Sequence, residues 1–264
     1  MGLRLLTPPA SAGVQWVREG LANFFKQPMG FASLFVMFLL AAQLLGLVPV
    51  VGSPLALMMV PLLGLAYMCA GLRTARGQLV QPQVFAEPWR QGPGVRRNLL
   101  QLCAIYMAAC VLTILMCDVL DGGEFNHQLG LLSEAMSKSQ DMDQMVISPA
   151  IAQGMFMRLI ATTLVGLPFW HAPALVLWGQ QSVAQALFSS TIALWRAKAA
   201  FTVFGLAWGG VMVGVSAVVA VLSGILGGGL TMLAVIPLGI AMIGAFQASL
   251  YATYRDCFGE PETA

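Results

Sequence analysis

The gaps between charged residues constrain this chain more than any motif in it. A charged side chain at the centre of a bilayer costs about 3 kcal/mol or more, and a helix needs about 20 mainly apolar residues to cross. Residues 27–72 are 46 positions without Asp, Glu, Lys or Arg, which is room for two crossings. The Val48-Pro49-Val50-Val51-Gly52-Ser53-Pro54 break between them predicts a hairpin at the bilayer edge, with helices over 29–48 and 54–72. A further 20 uncharged residues, 98–117, stop at Asp118 and predict a span over 99–117. Between Arg158 and Arg196 the polar group Gln180, Gln181, Ser182 and Gln185 leaves space for one span, 157–178. The 56 uncharged residues of 199–254 are interrupted by Gly227-Gly228-Gly229 and hold two more, 200–223 and 230–251. The fold class expected is therefore all-α integral membrane, with six transmembrane helices and an acidic loop over 118–156.

Composition agrees and excludes other classes. Apolar residues make up 58% and charged residues 9% of the chain, where a soluble domain has about 25% charged residues. A formal charge of +2 gives no broad basic face for nucleic acid. Five cysteines in 264 residues do not form a disulfide scaffold.

Orientation follows from the cations, because Lys and Arg near span ends are retained in the cytoplasm. Eleven of the thirteen fall on one side of the predicted threading: before span one, between spans two and three, between four and five, and after six. Lys138 and Arg158 fall on the other side, with Asp118, Asp121, Glu124, Glu134, Asp141 and Asp143. The N- and C-termini are expected in the cytoplasm and the 118–156 loop in the periplasm. The first 26 residues are amphipathic, with no short apolar region ahead of a small-x-small site, so span one is expected to start insertion.

Residues 11–27 place Val14, Val17, Leu21 and Phe24 at helical spacing and predict an interfacial amphipathic helix capped by Ser11. Ser182-x-x-Gln185 has the form of a capping box opening a second such helix, with Ala184, Leu187, Phe188 and Trp195 on one side. Phe25-Lys26, Trp89-Arg90 and Trp195-Arg196 each precede an odd-numbered span, and an aromatic-cation pair suits the headgroup layer. With Pro61, Pro168 and Pro237 in the even-numbered spans, the order suggests three parallel units, each an interfacial segment, a span and a proline-bearing span, distinct from the inverted repeats common in transporters.

On Trp16, Phe24-Phe25-Lys26-x-Pro28, Pro49-x-x-Gly52, Pro61-x-x-Gly64 and the segment around Phe85, the chain resembles an uncharacterised family of bacterial multi-pass inner-membrane proteins. The resemblance implies a Gram-negative inner membrane and six helices, and carries no catalytic or binding residue with it.

Candidate chemistry is thin. Cys103, Tyr106, Cys110, Thr113 and Cys117 form one stripe of span three, but successive cysteines stand about 10.5 Å apart along a helix, too far to share a zinc or form a disulfide, so a packing seam is expected. Asp118, Asp121, Glu124 and His127 recur every three residues and are weak candidates for a divalent metal, with a solvated acidic loop as the default; Met136, Met142, Met145, Met155 and Met157 offer soft ligands to copper, with packing as the default. No cofactor is expected. His171, flanked by Pro168 and Pro173, marks the possible intramembrane polar site, while Gln43 and Gln247 suit interhelical hydrogen bonds. Gly205-x-x-x-Gly209 and Gly210-x-x-x-Gly214 make span five the expected place of close helix packing inside the monomer. No nucleophile, base and orienter share a recognisable spacing, so no enzyme is expected.

The leading expectation is a non-catalytic, lipid-associated scaffold or accessory subunit whose basic rim (Lys26, Trp89, Arg90, Trp195, Arg196) meets anionic lipid, a protein partner or a second copy. The alternative is a small-molecule permease with its path near the proline-broken even-numbered helices.

Overall fold

A computed structural model of the chain describes residues 5–137, 148–226 and 228–261. In chain order the helices are α1 (Ala12–Lys26), α2 (Pro28–Gly46), α3 (Gly52–Met58), α4 (Val60–Ala75), α5 (Glu87–Arg90), α6 (Pro93–Leu120), α7 (Glu124–Ser137), α8 (Pro149–Gly166), α9 (Ala172–Leu177), α10 (Val183–Arg196), α11 (Lys198–Leu226), α12 (Gly228–Ala248) and α13 (Leu250–Phe258). Short 3-10 turns cover Pro82–Ala86 and Leu167–Phe169. No strand occurs among the described residues. Six segments there are long and apolar enough to cross a membrane: Pro28–Gly46, Gly52–Ala75, Pro93–Leu120, Pro149–Leu177, Lys198–Ile225 and Leu233–Phe258.

The prolines of the even-numbered spans take three different positions. Pro61 takes the second position of α4, after a break at Met59 that separates it from α3. Pro168 falls in the 3-10 turn that ends α8. Pro237 lies inside α12, which continues through it. A proline lacks the N–H that would donate to a carbonyl of the preceding turn, so it fits the first turn of a helix and disturbs any later one.

Of the segment expected as an acidic loop, the described residues are largely helical. Residue 118 belongs to α6, α7 occupies much of the middle, and α8 starts at Pro149. Ser148 caps α8 by accepting from the Ile151 N–H. Gly122 and Gly123 carry φ of +65° and +79°, which only residues without a Cβ adopt readily. They reverse the chain and lay α7 against α8, where Phe125 packs on Gly154. Charge ends the hydrophobic run here, and helix resumes after the glycine turn.

The N-terminal helix is more than an interfacial one. Its buried face is Ala12, Gly13, Trp16, Val17, Gly20 and Phe24, while Val14 is exposed. A Cβ at Gly13 would stand 2.3 Å from the Ala200 carbonyl oxygen, and one at Gly20 would stand 2.8 Å from that of Ala245. The glycines thus let α1 press against the backbones of α11 and α12. Ser11 does not cap it: its backbone is already helical and its side chain makes no cap hydrogen bond. The Ser182–Gln185 capping box of α10 is formed on both sides, but the buried face is Ala186, Ser190 and Ala193. Phe188 and Trp195 stand out from the bundle.

Buried side chains gather in one half of the bundle. Phe31 and Leu34 open α2, Leu99 and Leu102 open α6, and Ala200, Phe204 and Trp208 open α11. The last turns of α4, all of α9 and most of α13 complete this core. It lies at the end carrying the Arg- and Lys-rich connections, here called the basic end. Toward the acidic end the helices turn apolar side chains outward, as with Leu112, Leu115, Val119, Val213, Val221 and Ile225. A bilayer is as apolar as leucine, so those faces are satisfied by acyl chains. Cys103, Cys110 and Cys117 are buried free thiols on one stripe of α6. The glycine stripe behaves differently from expectation: a Cβ at Gly205, Gly209, Gly210 or Gly214 would meet nothing within 4 Å. This side of α11 is open in the monomer because α1 and α12 occupy its other faces.

Candidate functional site

Three places concentrate polar side chains. The first is the sealed core around His171, which closes the basic end. His171 is fully buried, at the break between the 3-10 turn and α9. Its backbone N–H donates to the Ser190 hydroxyl at 3.1 Å, and its Nε2 lies 3.1 Å from Thr253 Oγ1. The Thr253 hydroxyl donates to the Leu250 carbonyl at 2.7 Å and accepts from Trp170 Nε1 at 3.2 Å. With its proton so directed, Thr253 accepts from His171, which fixes the Nε2–H tautomer. Phe201, Tyr254 and Phe258 surround the imidazole edge-on. His171 therefore acts as a hydrogen-bonded pin between α9, α10 and α13, and it lines none of the cavities described below. Its partner Thr253 carries no signal in the sequence, being one hydroxyl among many.

The second place is at the acidic end. Arg158, in α8, binds Asp118 and Asp121 together, the latter at 2.7 Å, and donates to the Gly154 carbonyl. Its guanidinium also stacks over Phe125 at 4.1 Å, a cation–π contact. Its side chain is 12% exposed. Two of the four weak metal candidates thus serve the guanidinium of one of the two cations counted on the acidic side. Glu124 is elsewhere engaged, accepting from Gln128 at 2.8 Å, and no cluster of three metal-ligating side chains forms among the described residues. Met142 and Met145 lie outside the described residues. Arg158 is the residue that sequence reasoning missed: a lone Arg nine positions into a helix, opposite Asp-x-x-Asp at the end of another, was the available signal.

The Arg158 hydrogen bond, aided by the Gly123 N–H at 3.0 Å, holds the Asp121 carboxyl below its ordinary range. A depressed folded value gives stability that is complete above the unfolded value, about 4 for Asp, and is lost as pH falls through the folded value. Thermal melts of the detergent-solubilised protein are therefore expected to fall as pH drops below about 4, and Asp121→Asn is expected to flatten that fall. An unchanged pH profile in the variant would show that Asp121 is not the titrating group.

The third place is the perimeter of the basic end. Phe25-Lys26, Trp89-Arg90 and Trp195-Arg196 all reach the surface, with Trp195 71% exposed and the Lys198 ammonium 5.1 Å from its ring. Other cations there are held by acids. Arg255 grips Glu19 in a two-pronged pair at 3.0 and 3.1 Å and also binds Asp256, which in turn accepts from Trp16 Nε1 at 2.8 Å. Arg73 pairs with Glu87 at 2.5 Å.

Two cavities interrupt the apolar part of the bundle. One of about 310 Å³ lies among the even-numbered spans, lined by Pro61, Tyr106, Thr162, Thr163, Pro173 and Gln247, among others. The Thr162 and Thr163 hydroxyls donate to backbone carbonyls of their own helix. The other, about 690 Å³, is an apolar groove where α11 and α12 diverge.

A probable inner membrane protein of Burkholderia thailandensis is 33% identical over 264 residues, covering 98% of this chain and 96% of its own length. The chain belongs to the family of that inner membrane protein. No family model matches it, and no solved structure does. Six apolar spans and this relationship make the chain a multi-pass inner-membrane protein. In this family context the His171 core, the Arg158 clasp and the basic perimeter describe a helical membrane body, closed at one end and bordered there by cations.

Proposed function

We propose that the chain is a non-catalytic, lipid-associated scaffold or accessory subunit of the inner membrane, with its basic end and both termini in the cytoplasm. The observation that carries this reading is the solid basic end. Trp16, Tyr67, Leu99, His171, Leu175 and Tyr254, drawn from five different parts of the chain, are each at most 1% exposed. Such a plug leaves no aqueous route, while the aromatic-cation pairs around it sit where anionic headgroups of the inner leaflet are met. The excess of Lys and Arg at this end supports its cytoplasmic side. Arg158 and Arg255, two cations inside the candidate spans, are each paired with neighbouring carboxylates, which supports a structural use for them.

The cavity beside Pro61 and Gln247 supports a second reading, a permease for small neutral solutes. The plug lies between that cavity and the basic end.

Proteoliposomes containing the full chain decide between the two. The expected result is no uptake of small neutral solutes above that of empty liposomes, together with retention of anionic over zwitterionic lipid through purification. Lys26→Gln/Arg90→Gln/Arg196→Gln is expected to reduce that retention in a salt-dependent way. Uptake abolished by filling the cavity with Gly64→Leu would establish the permease instead. An alkaline phosphatase reporter fused near Glu134 is expected to be active, as on the periplasmic side; inactivity would invert the threading.

A further inference from the structure

Where α4 ends, three arginines line one pocket of about 280 Å³ together with Gln78, Glu87 and Trp178. They are Arg73 from the last turn of α4, Arg76 just beyond its end, and Arg90 from α5. Arg73 is neutralised by Glu87. Arg76 and Arg90 have no carboxylate or carbonyl partner among the described residues, and both are exposed. The carbonyls that end α4 do not occupy them either. The Leu72, Arg73 and Thr74 oxygens accept from the backbone N–H groups of Arg76, Gly77 and Gln78 as the chain turns. Among its described lining residues, Pro261 included, the pocket is thus left with two uncommitted guanidiniums and a net charge of +2.

We propose that this pocket is a binding site for a phosphate-bearing anion, held by Arg76 and Arg90 and given its shape by the Arg73–Glu87 pair. Guanidinium forks match the oxygens of a phosphate two at a time, which a surface lysine does not. The source favoured by the surroundings is a lipid headgroup. The single turn of α5 divides its residues between two neighbours: Glu87 and Arg90 face the polar pocket, while Pro88 and Trp89 line an apolar crevice of about 290 Å³ against α2 and α4. A phosphate in the first and an acyl chain beside the second would use both. The proposal rests on the lipid-associated reading above and narrows it from a charged perimeter to one place.

Native mass spectrometry of the full chain in detergent tests it, using dioctanoyl phosphatidylglycerol, dioctanoyl phosphatidylcholine and inorganic phosphate as separate probes. The expected result is one saturable phosphatidylglycerol site, weakened at least about tenfold by Arg76→Gln/Arg90→Gln, since each charge-assisted contact contributes about that factor. Arg76→Lys/Arg90→Lys is expected to bind between the two. Lys26→Gln/Arg196→Gln, which removes perimeter charge outside the pocket, is expected to change the affinity less than about twofold. Inorganic phosphate binding at the same affinity, and lost in the same pocket variant, would retain the site and make a soluble phosphate its ligand. Tightness unaffected by the pocket variant, or lowered equally by the perimeter variant, overturns the pocket and leaves the charged perimeter standing. Absence of any preference for phosphatidylglycerol over phosphatidylcholine, with no phosphate binding, overturns both. Gel filtration and circular dichroism of the Gln and Lys variants separate loss of binding from loss of fold.

Discussion

Trp16→Ala is expected to unfasten α1 from the bundle and to cost about 3–5 kcal/mol of stability, the usual range for removing a large buried aromatic. The ring is fully buried, 5.1 Å from Phe201 and 5.9 Å from Phe204. Its neighbours cannot close the gap readily, because Gly13 and Gly20 already hold α1 in backbone contact with α11 and α12. The indole N–H also binds Asp256, the residue that helps hold Arg255. Trp16→Phe keeps most of the packing and removes that hydrogen bond to a charged group, so it is expected to cost about 1.5–3 kcal/mol. Unfolding in mixed micelles of mild and denaturing detergent measures both. A loss under about 1 kcal/mol for the alanine variant would mean that α1 is an ornament on the bundle and not part of it.

Arg158→Met is expected to be the most damaging change at the acidic end. It strips the shared partner from Asp118 and Asp121 and the cation from the face of Phe125. Removing one member of a poorly hydrated charge pair leaves the others unpaired, which is worse than removing all of them. The variant Arg158→Met/Asp118→Asn/Asp121→Asn is therefore expected to melt at a higher temperature than Arg158→Met alone. Limited proteolysis between α7 and α8 gives a second measurement, with Arg158→Met cut faster than the wild type. Equal melting temperatures of the single and triple variants would show that the carboxylates are hydrated independently of Arg158, and would end the account of this clasp.

These two residues show where sequence reasoning succeeds and where it stops. The charge gaps gave six apolar segments, and the described residues hold six helical segments long and apolar enough to cross a membrane, because the cost of desolvating a charge acts on each segment by itself. The Ser182–Gln185 cap was equally legible, since both partners lie within one turn. On α1 the spacing caught Val17, Leu21 and Phe24 but added the exposed Val14 and passed over Gly13 and Gly20, because a hydrophobic count scores side chains whereas burial against another backbone selects for their absence. Gly205, Gly209, Gly210 and Gly214 mislead in the opposite sense: the same residue type, at a spacing that favours helix contact, faces open space in the monomer. A glycine reports that close approach is permitted, not that it happens.

The site residues divide in the same way. Lys26, Trp89, Arg90, Trp195 and Arg196 were singled out on a local pattern, an aromatic beside a cation ahead of a span, and the structure places them at the surface. Arg76 was counted for orientation only, and its place beside Arg90 depends on how the chain returns from α4 to α5. Asp118 and Asp121 looked like metal ligands because their spacing was known and their partner was not. That partner, Arg158, arrives from 37 residues beyond Asp121. What the sequence determined by itself is the number of crossings and which connections carry the cations, since both follow from transfer free energies that sum along the chain. Tertiary structure alone decided which cations stay unpaired, which glycines touch a neighbour and which end is closed, because each depends on a second helix whose position no local pattern encodes.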